Sequence, residues 1–326
     1  MTDWEKLKST DASINDDNFD YLMNRNNMFK RSEIDLYNNI YRFGRLDPYN
    51  AVTNTKEYLF FTKPDLNIVT ESGKLNDYLA DQPFFKELYR KYPLVIQQLQ
   101  SSADKRNNPL CLLLSNSAIS SLDVPQLSAE SIDTASNIYG TSYDYRGSSE
   151  ASNDNFDFSI EFRDTRYLDV YHYFKAYDTY EMLKHHGLVA PKKKYITNKI
   201  LHDQIGIYKF LVDEDYQTII YYAYYWGVMF KSLPRDVFSS PTFDNGISYS
   251  IDMKAAFVDD MDPLIIRDFN SLTKNYRSNM RDIPIYDEEY DSISGKIVKC
   301  PYIETRINTY GKEVYTLKWK GWYRWH

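Results

Sequence analysis

Asn155-Phe156-Asp157-Phe158-Ser159-Ile160-Glu161-Phe162-Arg163 alternates polar and apolar side chains without interruption. A period of two puts Phe156, Phe158, Ile160 and Phe162 on one face and Asp157, Ser159, Glu161 and Arg163 on the other, the pattern of a half-buried strand. The period then changes. Tyr167, Val170/Tyr171, Phe174, Tyr177 and Leu183 recur at helical spacing, so a helix follows the strand, with Asp164 or Thr165 as its cap. Gly187 and Pro191 end that helix. Upstream, Leu110–Leu114 reads as a short apolar strand. Asn137–Arg146 reads as a Tyr-rich strand or hairpin arm, and 147–155 as a flexible turn. Downstream, Lys192-Lys193-Lys194 reads as a solvated loop and 207–231 as strand material. In a second alternating strand, Ile247, Tyr249, Ile251, Met253, Ala255 and Phe257 share one face.

Four segments emerge. Residues 1–35 are polar and form an extended arm. Residues 36–108 hold a turn-rich stretch, a strand over 57–66 stopped by Pro64, and helical periodicity over 74–104 divided at Pro83 and Pro93. Residues 109–262 are the β-domain just described. Residues 263–326 are an extension whose last part, from 292, is basic and reads as a hairpin turning near Tyr310-Gly311-Lys312. The fold class expected is mainly β, α+β.

Composition excludes several functions. Of 326 residues, 39 are Lys or Arg and 46 are Asp or Glu, a formal net charge of −7. Binders of duplex DNA or anionic membranes are ordinarily basic. Charged residues at 26% and hydrophobic ones at 43% match globular norms. The 31 Tyr, 17 Phe and 5 Trp favour strands and large contact surfaces. Two cysteines, Cys111 and Cys300, suit core positions in a reducing compartment. No signal-peptide pattern opens the chain. Its longest apolar run, Ile219–Phe230, is well short of the ~20 residues of a membrane helix. Dinucleotide, P-loop, nucleophile-elbow and H-E-x-x-H motifs are absent. His185-His186 points its rings about 100° apart and reads as a helix end rather than a metal site. The residues Asp282, Asp287, Glu288, Glu289 and Asp291 lack EF-hand spacing and read as a solvated acidic loop, with docking of the basic C-terminal hairpin as a second reading. No cofactor, metal or catalytic residue is expected.

The order of elements over 109–262 resembles the tail-tube family of bacteriophages and related contractile injection systems. Phe156–Phe162, Asp164 and the helix look like that family's strand–helix unit. Trp226-Gly227-Val228-Met229-Phe230-Lys231-Ser232-Leu233-Pro234 looks like its late strand and turn, and Ile247–Asp259 like its closing strand. Asn24-Arg25-Asn26-Asn27-Met28-Phe29 is similar to the N-terminal motif of baseplate tube initiators. The resemblance implies a two-sheet β-sandwich or barrel with one packed helix, to which 30–108 and 263–326 are additions. It implies a structural virion protein: tube initiator, baseplate hub or tail adaptor. Such a protein is assembled in the host cytoplasm and sits in the tail. Its partners are copies of itself in a ring, a hexamer, and other tube, baseplate or sheath proteins. Genomic DNA is met only in passing, and no membrane is involved.

On that reading Asn137–Arg146 and Phe156–Phe162 are two legs of an intersubunit hairpin, with Tyr139, Tyr143, Tyr145, Phe156, Phe158 and Phe162 at the assembly interface. The plainer reading is an ordinary hairpin of a monomeric β-domain. Asp252, Asp259 and Asp260 are candidates to face a DNA-conducting lumen, where negative charge avoids gripping phosphates; a solvated sheet face explains them equally. Two other functions stay open. One is a carbohydrate-binding or glycan-degrading β-protein, with carboxylates such as Glu161 and Asp164. The other is a single-stranded nucleic-acid binder, for which only 292–326 has the charge.

Overall fold

A computed structural model describes residues 55–70, 73–100, 108–125, 131–133, 144–147, 154–198, 203–235, 238, 247–283, 298–307 and 313–322. The chain divides into two compact units. Met1–Thr55 with Thr305–Val314 is one; of it only 55, 305–307 and 313–314 are described. The fold lies in the other, Lys56–Glu304 with Tyr315–His326.

The described strands are β1 (Lys56–Phe61), β2 (Ser131–Asp133), β3 (Asp144–Arg146), β4 (Asp154–Arg163), β5 (Ile205–Val212), β6 (Thr218–Phe230), β7 (Ser248–Asp260), β8 (Arg281–Ile283), β9 (Val298–Ile307) and β10 (Glu313–Trp322). The helices are α1 (Asp77–Ala80), α2 (Pro83–Lys91), α3 (Pro93–Gln98), α4 (Leu112–Ser117), α5 (Asp169–His185), α6 (Lys193–Asn198) and α7 (Pro263–Lys274). Eight strands form one curled antiparallel sheet, and β2 pairs β3 separately. The class is mainly β, α+β, as the sequence leads one to expect.

The sheet branches at β6. One side of β6 pairs with β5 along its length. The other side meets β10 at Thr218–Ile219 and β7 over Ala223–Phe230. One limb therefore carries β7 and β4, the other β10, β9 and β8. Gly227 marks a kink in the first limb. Tyr225 and Val228 are both buried although three residues apart, and so are their β7 neighbours Val258 and Ala255. Gly227 absorbs this shift at φ +59°, and a Cβ there would stand 2.8 Å from Gln204 Oε1. The kink corrects the sequence reading of Phe257: the alternation breaks, and the ring is exposed instead of joining Ala255 inside.

Two cores lie on opposite faces of β5. Ile205 and Ile207 join a core with α2, α3, α5, β4 and β7, while Tyr208, Phe210 and Val212 join a second with Ile265, Ile266 and Phe269 of α7 and with Ile303 and Leu317. β1 divides likewise, Leu59 and Phe61 one way and Phe60 the other. Burial on both faces explains the nearly continuous apolar run of β5. Because β1 pairs with β5, the boundary drawn at 108/109 falls inside this unit; the one at 262/263 does too, since α7 closes the second core.

Other differences have local causes. Leu110–Leu114 is not a strand: Leu110 makes one isolated bridge to Thr62, and α4 starts at Leu112. A short apolar run does not separate the two states by periodicity. Pro83 and Pro93 each open a helix, the position where a missing N–H does no harm. α7, unread in the sequence, has Asp262 as cap, accepting from Leu264 N–H at 2.9 Å, with Pro263 at the first position. Lys192 and Lys194 are not freely solvated. Both clamp Asp65, which is 4% exposed, at 2.7 and 2.8 Å. Residues 1–54, Tyr310–Lys312 and Asp287–Asp291 lie outside the described residues. Of that acidic stretch Asp282 is described; it stands 3.7 Å from Lys320 of β10 and accepts from Tyr302 OH at 2.8 Å.

Asp164 fixes how α5 leaves β4. Leu168, at φ 57°, occupies the cap position and offers no side-chain acceptor. Asp164 reaches over from four residues upstream and accepts from Val170 and Tyr171 N–H, both at 3.0 Å, while Thr165 Oγ1 accepts from Asp169 N–H. Both candidate caps therefore act. Tyr249 OH of β7 donates to Asp164 at 2.5 Å. Asp164→Ala is expected to lose about 2–3 kcal/mol, a cap plus an orphaned buried phenol. Urea unfolding followed by circular dichroism measures it, and Tyr249→Phe added to Asp164→Ala should lose little more.

Candidate assembly edge

A branched sheet has open ends, and every open end bears N–H and C=O groups without ladder partners. Among the described residues, such groups are covered at three places. On β1, Phe61 N–H donates to Ser115 Oγ at 3.2 Å and Phe61 C=O accepts from Cys111 N–H at 2.7 Å. On β9, the Asn270 amide of α7 stands in for a strand rung: Ile303 N–H donates to its Oδ1 at 2.9 Å and its Nδ2 donates to Ile303 C=O at 2.7 Å. On β4, Glu161 N–H donates to Ser120 Oγ at 2.8 Å and Glu161 C=O accepts from Ile119 N–H at 2.9 Å.

The covering of β4 stops there. Backbone groups alternate along a strand, so Ser159 and Asp157 point the same way as Glu161. Among the described residues their N–H and C=O groups on that side have no partner. The opposite side of β4 is fully engaged with β7 from Phe156↔Ala255 to Arg163↔Ser248. Ser159 and Asp157 side chains are exposed, and Asp157 pairs with Lys231 Nζ at 2.6 Å. The hydrogen bond from Lys231 holds the Asp157 carboxyl below its ordinary range. Near the strand's start, Phe257 stands opposite Asp154 and Trp226 opposite Phe257, and both rings are exposed, as is Met229.

The six aromatics named for an interface scatter. Phe158 and Phe162 are buried, packing on Tyr225 (5.5 Å) and on Phe61 and Phe174 (5.9 and 5.4 Å). Their rings are committed to the chain's own core. Phe156 is half-buried and stacks on Phe158. Tyr145 is exposed on β3, and Tyr139 and Tyr143 lie outside the described residues. The expected hairpin is replaced by two separate pairings. β3 pairs β2 through Ile132↔Tyr145, and β4 pairs β7. The matching alternation of Ser248–Ala255 supplies β4 with an inward apolar row to meet its own.

The three lumen candidates do not form one patch. Asp252 is exposed opposite Ser159 and accepts from Ser232 Oγ at 3.1 Å. Asp259 and Asp260 lie past the end of β4, about 24 Å further along at strand rise. Asp260 accepts from Tyr221 OH at 3.1 Å. Partial burial, with the Asp262 and Asp260 charges, pushes the Asp259 carboxyl up. Cys111 and Cys300 are buried free thiols, both pushed up by burial, Cys111 to about 11. Among the described residues no group of three His, Cys, Asp or Glu is placed to hold a metal ion, and no helix is long and apolar enough to cross a membrane. Sequence reading missed Ser115, Ser120 and Asn270; single polar residues that mimic a rung leave no periodic trace.

No protein-family model matches the chain, and no curated protein matches it. Among solved structures it is similar to a chain of an extracellular contractile injection system, described as "PVC sheath/tube terminator in extended state". The identity is 14% and the TM-score 0.25, over 44% of this chain and 84% of that one. At that score the likeness has no bearing on function.

Proposed function

We propose that the chain is a non-enzymatic structural component of a bacteriophage-type tail, closing a ring with copies of itself by strand pairing at β4. The single observation that carries the assembly mode is the open rung pair at Asp157 and Ser159, next to the Glu161 rung that Ser120 and Ile119 cover. Strand addition there takes affinity from backbone hydrogen bonds and register from the alternating row of β4. The tail assignment rests on the sequence resemblance of β4, α5, the Trp226–Pro234 turn and β7 to the tail-tube family. On this reading the ring is six-fold, stands at the start or end of the tube as initiator, hub or adaptor, and meets other tube, baseplate or sheath proteins. DNA passes without being held.

Ser159→Pro tests it. The Ser159 N–H takes no part in the β4–β7 ladder, and proline is tolerated on an edge strand. The variant should melt within about 1 kcal/mol of the parent. Light scattering on a size-exclusion column should show rings for the parent and monomers for the variant, with negative-stain images to match. A parent that is monomeric at high concentration, or a variant that still forms rings, removes pairing at β4.

A further inference from the structure

Helices α2 and α3 join the fold through side chains and caps, not through a strand ladder. Phe85, Leu88, Val95 and Ile96 enter the core that α5 also lines. Leu99 C=O, just past α3, accepts from Leu66 N–H at 3.2 Å, and Gln98 Oε1 accepts from Leu112 N–H at 3.0 Å. At the rim of that core α5 meets the two helices through rings. Lys175 Nζ lies 4.8 Å from the centre of the Phe84 ring. The His172 ring lies 4.3 Å from the Tyr92 ring, tilted by 41°. Tyr92 is the joint between α2 and α3, at φ −126° and ψ 57°, immediately before Pro93. A contact on Tyr92 therefore bears on both helices.

His172 Nδ1 is sealed from water and, among the described residues, has no hydrogen-bond partner. A neutral imidazole with its proton on Nε2 leaves only a lone pair there. A second proton puts an N–H on Nδ1, where neither water nor an acceptor meets it. The Tyr92 face returns part of that loss as a cation–π contact, but a sealed donor loses more than a tilted ring gives. We propose that this contact is a pH-sensitive latch: uptake of a proton by His172 makes α2 and α3 open from α5 more often. The charged groups facing His172 are Lys175 and Asp169 on α5, Asp164 after β4, and Glu87 on α2, itself paired with Lys91 at 2.5 Å. α3 carries no charged residue. Burial comes first in holding the ring below its ordinary 6.5; Lys175 adds to it, and the three carboxylates pull the other way. A base depressed in the fold stabilises fully above 6.5, and that contribution is lost as pH falls below 6.5 toward the folded value. The opening therefore grows on the acid side of 6.5.

The test is hydrogen exchange of the full chain, read by mass spectrometry at pH 7 and pH 5 and corrected for the intrinsic pH dependence of exchange. Peptides from α2 and α3 are compared with peptides from β5, in the parent and in His172→Phe. That variant keeps a ring against Tyr92 and takes up no proton; His172→Gln repeats the test with a smaller uncharged side chain. In the parent, protection of α2 and α3 relative to β5 should fall at pH 5, by up to about tenfold for each unit by which the ring is lowered. In both variants the ratio should keep its pH 7 value. The His172 Cε1 proton, assigned by its loss in the variants, should titrate below 6.5 by NMR. A parent ratio equal at the two pH values, a fall of the same size in the variants, or a ring that titrates at or above 6.5 each overturns the latch. None of these outcomes depends on ring formation.

Discussion

Gly206→Val is expected to destabilise the protein by about 3 kcal/mol, lowering Tm by about 6–10 °C. A Cβ at this position would meet Tyr224 Oη at 2.0 Å and Cζ at 2.7 Å. Neither partner can yield easily. Gly206 N–H donates to Thr62 Oγ1 at 2.7 Å and its C=O accepts from Thr62 N–H at 2.8 Å, so the backbone is fixed where β5 meets the end of β1. The Tyr224 ring is held between Tyr208 at 4.2 Å and Trp226 at 4.4 Å. The cause is thus a pairwise overlap, and a double-mutant cycle isolates it. Tyr224→Ala should recover a large part of the loss in the Gly206→Val background, about 1–2 kcal/mol of favourable coupling. A Gly206→Val protein that melts like the parent would show that the Tyr224 ring swings aside at no expense.

Position 206 also marks the limit of reading this chain as text. Strands and α5 were legible because their periods are long and clean: Phe158, Ile160 and Phe162 are inward as spaced, as are Tyr249, Ile251, Met253 and Ala255. The α5 stripe was partly legible. Val170, Phe174, Tyr177 and Leu183 are buried, but so are Tyr173 and Tyr180, whose hydroxyls disguise core positions, while Tyr167 is exposed. What failed was whatever depends on two distant segments meeting. The kink that exposes Phe257 requires Gly227 beside Ala256 and Gln204. The partner of β4 could not be found locally, because the nearest strand in sequence and the best match in alternation are different strands.

The assembly edge shows the same division. That Asp154–Arg163 forms a strand follows from nine residues. That its Glu161 rung is covered while its Ser159 rung is open depends on where Ser120 and Ile119, from a distant segment, come to lie. Cover of the Glu161 rung by Ser120 and Ile119 shortens the stretch of β4 free to pair, and a short stretch limits growth to specific pairing rather than open-ended stacking.

Asp65→Asn is expected to cost about 2–3 kcal/mol near neutral pH. Breaking a buried ion pair is worth about 3–5 kcal/mol, less here because Lys192 and Lys194 are 25% and 54% exposed and can turn to water. Asp65 also accepts from Tyr195 OH, so three donors lose one acceptor group. No residue of α6 is buried, and this carboxylate ties the segment to the loop after β1. Trypsin should therefore cut at Lys192–Lys194 about ten times faster in the variant, through local opening. The pH dependence has a definite sign. Burial acts to raise the Asp65 carboxyl, but the hydrogen bonds from Lys192, Lys194 and Tyr195 outweigh it and hold it below 3.8. A carboxyl depressed in the fold stabilises above its unfolded value, and that contribution disappears as pH falls through the folded one. On the alkaline side burial acts to lower Lys194, yet its bond to Asp65 prevails and leaves it above 10.5, so its contribution persists to 10.5 and is lost beyond. The gap between parent and Asp65→Asn melting temperatures should stay level from about pH 5 to 9 and close below 4. A gap that persists unchanged at pH 3 would mean that Asp65 acts through shape rather than charge.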